Sequence, residues 1–122
     1  FIVSPSLTAP LARASIASGA PFLPGSANAG DIMRGLDLGL SHFKFFPAEA
    51  SGGIAALRAL SAPFANARFC PTGGVTLASP PLWLRGPWDL CVGGSWLVQP
   101  GETDLAAMGE RAARAAELRA AE

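Results

Sequence analysis

Neither charge prevails in this sequence. Nine basic and nine acidic residues cancel over 122 positions, and no basic cluster stands out. That removes the electrostatic reason to expect nucleic acid or an anionic membrane as a partner. No apolar run is long enough to span a bilayer. Neither a signal-peptide pattern nor an initiator Met opens the chain. The first residues, Phe1-Ile2-Val3-Ser4-Pro5, read as a strand already under way, so upstream sequence is expected. The two cysteines, Cys70 and Cys91, make no CxxC pair, and each lies in an apolar run. That pattern favours reduced core thiols in a cytoplasmic protein over a disulfide. With a single histidine, His42, and two scattered cysteines, the sequence holds no ligand cluster for a metal. Nothing in it asks for a cofactor.

What is present is a globular composition, half apolar and only 15% charged, long enough for one domain with one core. Short apolar runs recur at Phe1–Ser4, Pro21–Leu23, His42–Phe46, Arg68–Cys70 and Leu90–Val92. Each ends in Pro, Gly or both, and the spacing repeats at roughly 20–25 residues. Helical patterns fill the gaps. Leu7–Ser18 follows Ser6 as a cap, Gly30–Leu38 stops at Gly39, and Gly53–Leu60 carries Ile54, Leu57 and Leu60 on one side. Pro80 and Pro81 leave room only for a helical stub in Thr76–Leu84. Thr103 is expected to cap a last helix with Leu105, Met108, Ala112 and Ala115 as its apolar stripe and Glu110 paired with Arg114. Strand and helix alternating at this spacing predict parallel strands joined by crossovers. The class is α/β, either an open doubly wound sheet or a piece of a barrel. An eight-stranded barrel needs at least about 200 residues, so this chain supplies about five of eight units.

Lysine occurs once, at Lys44, inside Ser41-His42-Phe43-Lys44-Phe45-Phe46-Pro47. Strand alternation puts His42, Lys44 and Phe46 on one face and Phe43 and Phe45 on the other. An ammonium is almost never buried without a reason, and desolvation would disfavour its charged form. A neutral amine can attack a carbonyl and form an imine. A snorkelling lysine at a strand end, or a buried ion pair, is the competing reading. Two glycine turns, Pro71-Thr72-Gly73-Gly74 and Val92-Gly93-Gly94-Ser95, each follow one of the last two strands. In (β/α) barrels those loops often hold phosphate, because glycine lets several backbone N–H groups approach one anion. Thr72 and Ser95 add hydroxyls. His42 opens its strand, away from the loops where sites form, and reads as structural. Glu49 stands in the loop after the lysine strand and could serve the site or begin a helix. Of the three tryptophans, Trp83 and Trp88 read as packing, and Trp96 lies nearest a site.

Three motifs in order carry a resemblance. Phe43-Lys44-Phe45-Phe46-Pro47-Ala48-Glu49, Arg68-Phe69-Cys70-Pro71-Thr72-Gly73-Gly74 and Gly93-Gly94-Ser95-Trp96-Leu97-Val98 resemble the 2-keto-3-deoxy-6-phosphogluconate (KDPG) and 4-hydroxy-2-oxoglutarate (KHG) aldolase family. Ser4-Pro5-Ser6-Leu7-Thr8 is similar to its fourth-strand motif, with Ser6 where glycine usually stands. The resemblance implies the last five units of a (β/α)8 TIM barrel, with residues 1–122 as one incomplete domain lacking its first three units. It also implies a cytoplasmic, metal-free class I aldolase that is a homotrimer when full length, acting on a small phosphorylated keto acid. The imine would form on Lys44, Pro5 and Phe46 would line the pyruvyl pocket, Thr72 would lie beside the substrate, and Gly73, Gly74 and Ser95 would hold the phosphate. The family's acid–base glutamate, and the arginine and threonine for the pyruvate carboxylate, sit on its first three strands, and nothing in this sequence matches them. The chain is therefore expected to be inactive alone. Two alternatives stay open: a truncated, non-catalytic phosphate-binding or assembly module, and a sibling aldolase for 2-keto-3-deoxy-6-phosphogalactonate.

Overall fold

Strand and helix alternate through the first 71 residues of the computed structural model, which describes residues 1–76, 79–88 and 90–117. The first strand is β1 (Ile2–Val3), followed by α1 (Ala9–Ala17). Ser6 does not cap this helix. The chain enters through extended Thr8, with Pro10 in the first turn. Proline there has its φ preset and no N–H to satisfy, so the helix starts without a side-chain cap. The Ser6 carbonyl instead accepts the Ser4 hydroxyl at 2.5 Å.

The second apolar run extends past its proline and changes partner there. Phe22–Leu23 (β2) pairs with β1, and Gly25–Ser26 (β3) pairs with His42–Phe45 (β4), all parallel. Pro24 between them has no N–H for a ladder, but its carbonyl accepts the Lys44 N–H at 2.8 Å. Between β3 and β4 runs α2 (Ala29–Asp37), capped by the Asn28 side chain, which accepts the Asp31 N–H at 3.0 Å. Gly39, at φ 79°, turns the chain out of this helix.

β4 and β5 (Arg68–Pro71) are in parallel register, with Phe43 opposite Phe69, Lys44 opposite Cys70 and Phe45 opposite Pro71. The alternation sends Phe43, Phe45 and Phe69 to the face covered by α2 and α3 (Gly53–Ser61), where they are at most 1% exposed. Ile32, Leu57, Trp83 and Trp88 complete that core. A smaller cluster of Leu7, Ala12 and Phe22 lies under α1. The proline pair does open a stub, α4 (Pro80–Trp83).

The fifth run is not a regular strand. Leu90 N–H donates to the Phe69 carbonyl at 3.1 Å, and Gly93 N–H donates to the Pro71 carbonyl at 3.0 Å. The acceptors are two residues apart on β5, and the donors are three apart on their own segment. One extra residue therefore slips the ladder between Leu90 and Gly93, which is a bulge in a parallel neighbour of β5.

The last helix, α5 (Leu105–Glu117), differs from expectation in three ways. Asp104 caps it in place of Thr103, accepting the Ala107 N–H at 3.0 Å. Both residue types cap well, and the carboxylate one position later reaches the donor. The apolar stripe is not buried: Leu105 is 80% exposed. Among the described residues the ion pair of this helix is Arg111 with Glu102, not Glu110 with Arg114. Among them, too, no helix is long and apolar enough to cross a membrane.

Candidate active site

Lys44 and Cys70, paired across β4 and β5, face away from the phenylalanine core. On that face a cavity of about 570 Å³ opens at the C-terminal ends of the strands. Its size suits a small ligand. Lys44, Phe46, Thr72, Gly73, Gly74 and Ser95 line it, so six of the seven residues expected in a site come together. Pro5 is not on the lining. Its carbonyl packs where a side chain on Gly25 would stand, which ties the β1 loop to β3.

Lys44 is half-buried, with Nζ 4.3 Å from the centroid of the Phe46 ring. It is not enclosed by three phenylalanines, because the pleat turns Phe43 and Phe45 to the other face. The ring face of Phe46 attracts a cation or holds an amine in place. Below Lys44, the Cys70 thiol is pushed well above its usual range by its hydrogen bond with the Cys91 thiol and by burial, with the Lys44 charge opposing. Cys70 therefore stays a neutral thiol beside the lysine. No disulfide joins the two, and Cys91 is exposed rather than in the core. The ladder slip at Leu90–Gly93 accounts for this, since it takes Cys91 out of regular alternation.

The two glycine turns differ in what they require. Gly73 and Gly74 have φ of 92° and 85°, a conformation natural only to glycine. Gly93 and Gly94 do not, and there the demand is for space. A Cβ on Gly93 would meet Thr72 Cγ2 at 2.7 Å, and one on Gly94 would collide with the Trp96 indole nitrogen. Among the described residues, the backbone N–H groups of Gly73, Gly74, Gly94 and Ser95 find no acceptor in the chain. The Thr72 hydroxyl is buried without a partner in the same set. Donors from two adjacent turns, together with that hydroxyl, suit an anion.

Val75, Thr76, Trp96 and Gln99 also line the cavity. Trp96 had a sequence signal, standing next to Ser95. Gln99 had none. Glu49 begins no helix. It lies in the turn before α3, its N–H on the Gly73 carbonyl at 3.0 Å, and a Cβ on Gly74 would meet its Cγ at 2.6 Å. His42 is exposed at the other end of β4, its Nδ1 3.0 Å from the Ser41 hydroxyl.

A family model described as KDPG and KHG aldolase matches residues 1–110. The chain belongs to this aldolase family. It is 56% identical over 106 residues to the 2-dehydro-3-deoxy-phosphogluconate aldolase of Zymomonas mobilis, covering 87% of this chain and 51% of the relative. It is 49% identical over 98 residues to the KHG/KDPG aldolase of Escherichia coli K12, covering 80% and 46%. The chain thus spans about half the length of the curated relatives it matches. Among solved structures, the KDPG aldolase of Z. mobilis ZM4 with 3-phosphoglycerate superimposes with a TM-score of 0.89 at 53% identity, over 94% of this chain and 55% of that one. The KDPG aldolase of Legionella pneumophila, with pyruvate captured at low pH as a covalent carbinolamine intermediate, gives 0.77 at 40% identity, over 96% and 55%. The fold is accordingly α/β, part of the TIM-type (β/α) barrel of this family.

Outside the cavity, the Glu102 carboxyl is held below its ordinary range, first by its hydrogen bond with Arg111 and then by the Gln99 N–H. A lowered folded-state pKa means that its contribution to folding is complete above the ordinary carboxylate pKa. It is lost as pH falls through the lowered value. Hydrogen exchange at the Gln99 amide should therefore show an acid-side rise in opening that Arg111→Met moves to higher pH. An acid profile unchanged by that substitution would contradict the pairing.

Proposed function

We infer that this chain is the part of a class I aldolase that carries the imine-forming lysine and the phosphate cradle. The observation that carries the reading is one cavity lined by Lys44 and Phe46 together with two glycine turns. The substrate that fits is 2-keto-3-deoxy-6-phosphogluconate, whose keto group and phosphate lie at opposite ends. The amine of Lys44 adds to the keto carbon, giving a carbinolamine that loses water to become an iminium ion. The C3–C4 bond then breaks, its electrons passing into the iminium to form an enamine, while glyceraldehyde 3-phosphate leaves. Protonation at C3 and addition of water release pyruvate and restore the amine. The neighbour that holds pyruvate as a carbinolamine supports the first step, since that adduct needs an amine and lysine occurs here only once.

Phosphate and its turns supply orientation rather than chemistry. Several N–H donors and the Ser95 hydroxyl fix one end of the substrate, so the keto carbon meets Lys44 in one pose. An unphosphorylated substrate such as 4-hydroxy-2-oxoglutarate, split to pyruvate and glyoxylate, would use the lysine end alone. The groups that move the C4 hydroxyl proton and bind the pyruvate carboxylate are assigned to the first three β/α units, outside these 122 residues. The chain by itself should turn over no substrate, and the working form is a full-length cytoplasmic homotrimer.

Ser95→Ala tests the phosphate end in the full-length protein. KM for the phosphorylated substrate should rise roughly tenfold or more, as expected for losing one hydrogen bond to a charged group. 4-Hydroxy-2-oxoglutarate should be unaffected. Equal losses with both substrates would remove the phosphate assignment. Gly74→Val is a poorer probe, because a side chain there strains φ and strikes Glu49 whether or not phosphate binds.

A further inference from the structure

The segment after Ser95 is tied down by a relay of polar contacts that ends on α5. Gln99 lines the cavity, and its side-chain amide donates to the Ser95 carbonyl at 3.2 Å. Its backbone N–H donates to Glu102 Oε2 at 3.0 Å, and its carbonyl accepts the Glu102 N–H at 3.1 Å. The same Glu102 oxygen accepts from Arg111 Nη2 at 2.5 Å. Arg111 Nε donates to the Leu97 carbonyl at 2.9 Å. One guanidinium therefore holds residues 97 and 102 together, and through Gln99 it reaches Ser95.

We propose that Arg111, acting through Glu102 and Gln99, is a positioning residue for the phosphate turn at Gly93–Ser95. The proposal rests on the phosphate reading of this cavity. Three features support it. First, the guanidinium links α5 to the loop after the turn on both sides, donating to the Leu97 carbonyl and to Glu102. Second, Arg111 is neutralised by Glu102, and both side chains are largely shielded, at 26% and 17% exposure. A neutralised guanidinium has little field to offer an anion directly, so its influence on phosphate runs through the backbone it holds. Third, the contacts need a planar fork: Nε reaches a carbonyl and Nη2 a carboxylate, and a lysine ammonium offers no such pair of directions. Holding the Ser95 carbonyl fixes the peptide plane after it. The turn then meets phosphate already ordered, which spares the loss of freedom that binding would otherwise demand.

The test compares variants of the full-length protein on phosphorylated KDPG and unphosphorylated 4-hydroxy-2-oxoglutarate, with Ser95→Ala as reference. Arg111→Ala should raise KM for the phosphorylated substrate on the order of tenfold, a single hydrogen-bonded group's worth, with the loss confined to that substrate. Arg111→Lys should recover only part of it. Combining Arg111→Ala with Ser95→Ala should cost less than the sum of the two, because both act on one turn. If Arg111→Ala fails to fold, Gln99→Ala breaks the link to the Ser95 carbonyl without changing charge and should shift KM in the same selective way. Equal losses on both substrates, full rescue by lysine, or additive effects would each overturn the proposal. A selective Ser95→Ala beside an unselective Arg111→Ala would sink the relay alone. An unselective Ser95→Ala would take the phosphate reading and the relay together.

Discussion

Incubated with pyruvate and then reduced with borohydride, the full-length protein should gain one pyruvyl adduct, and peptide mapping should place it on Lys44. Reduction turns the imine into a secondary amine that survives digestion. The placement follows from geometry: Lys44 projects from β4 into the cavity, beside the ring of Phe46. Lys44→Arg should abolish the adduct and lower turnover on the order of 10³-fold or more, since a guanidinium stays protonated and cannot attack a carbonyl. The melting temperature should barely change, because Lys44 lines a cavity with room for the longer side chain. An adduct on an upstream lysine, in a Lys44→Arg variant that remained active, would refute the mechanism.

The opposite face of the same strand should behave in the reverse sense. Phe43→Ala is expected to destabilise the fold by about 3–5 kcal/mol, the range for emptying a buried aromatic site. Phe43 is 0% exposed, its ring centroid lies 5.8 Å from that of Phe69, and Gly35 of α2 rests directly against it. Gly35 cannot move into the space without shifting α2 toward the sheet. Pyruvate labelling per folded molecule should persist, because Lys44 is held by the β4 backbone. A urea-unfolding loss under about 1.5 kcal/mol would show that the aromatic layer is not packed in this way.

The alternation behind these two results was legible in the sequence. A period of two around Lys44 assigns faces without any knowledge of partners, and the glycine pairs marked the end of β5 and of the irregular segment beside it. Four features were not legible, each for a physical reason. Gly25–Ser26 has poor intrinsic strand preference and pairs only because the Lys44 backbone lies alongside. Asp104 and Thr103 are both good caps, and only the helix's actual start decides between them. The Gln99–Glu102–Arg111 relay joins side chains through a folded loop, and no periodicity announces it. The ladder slip between Leu90 and Gly93 adds one residue inside an apolar run, and no composition signal marks it. The apolar stripe of α5 was read correctly as a pattern, but a pattern does not say whether a covering element is within reach.

The slipped ladder between Leu90 and Gly93 makes chain length there as critical as residue type. A pleat has a phase, and one residue shifts it by half a cycle. Removing Cys91 or Val92 would let hydrogen bonds to β5 run in step again, and the local backbone would gain regularity. Both anchors, Leu90 on Phe69 and Gly93 on Pro71, would survive that deletion, so Gly93, Gly94 and Ser95 would keep facing Lys44, whereas an insertion would find no slack left to take up and would turn them away. In any engineering of this segment, a one-residue shortening would therefore be milder than a lengthening, because the slip is the slack that a shortening takes up.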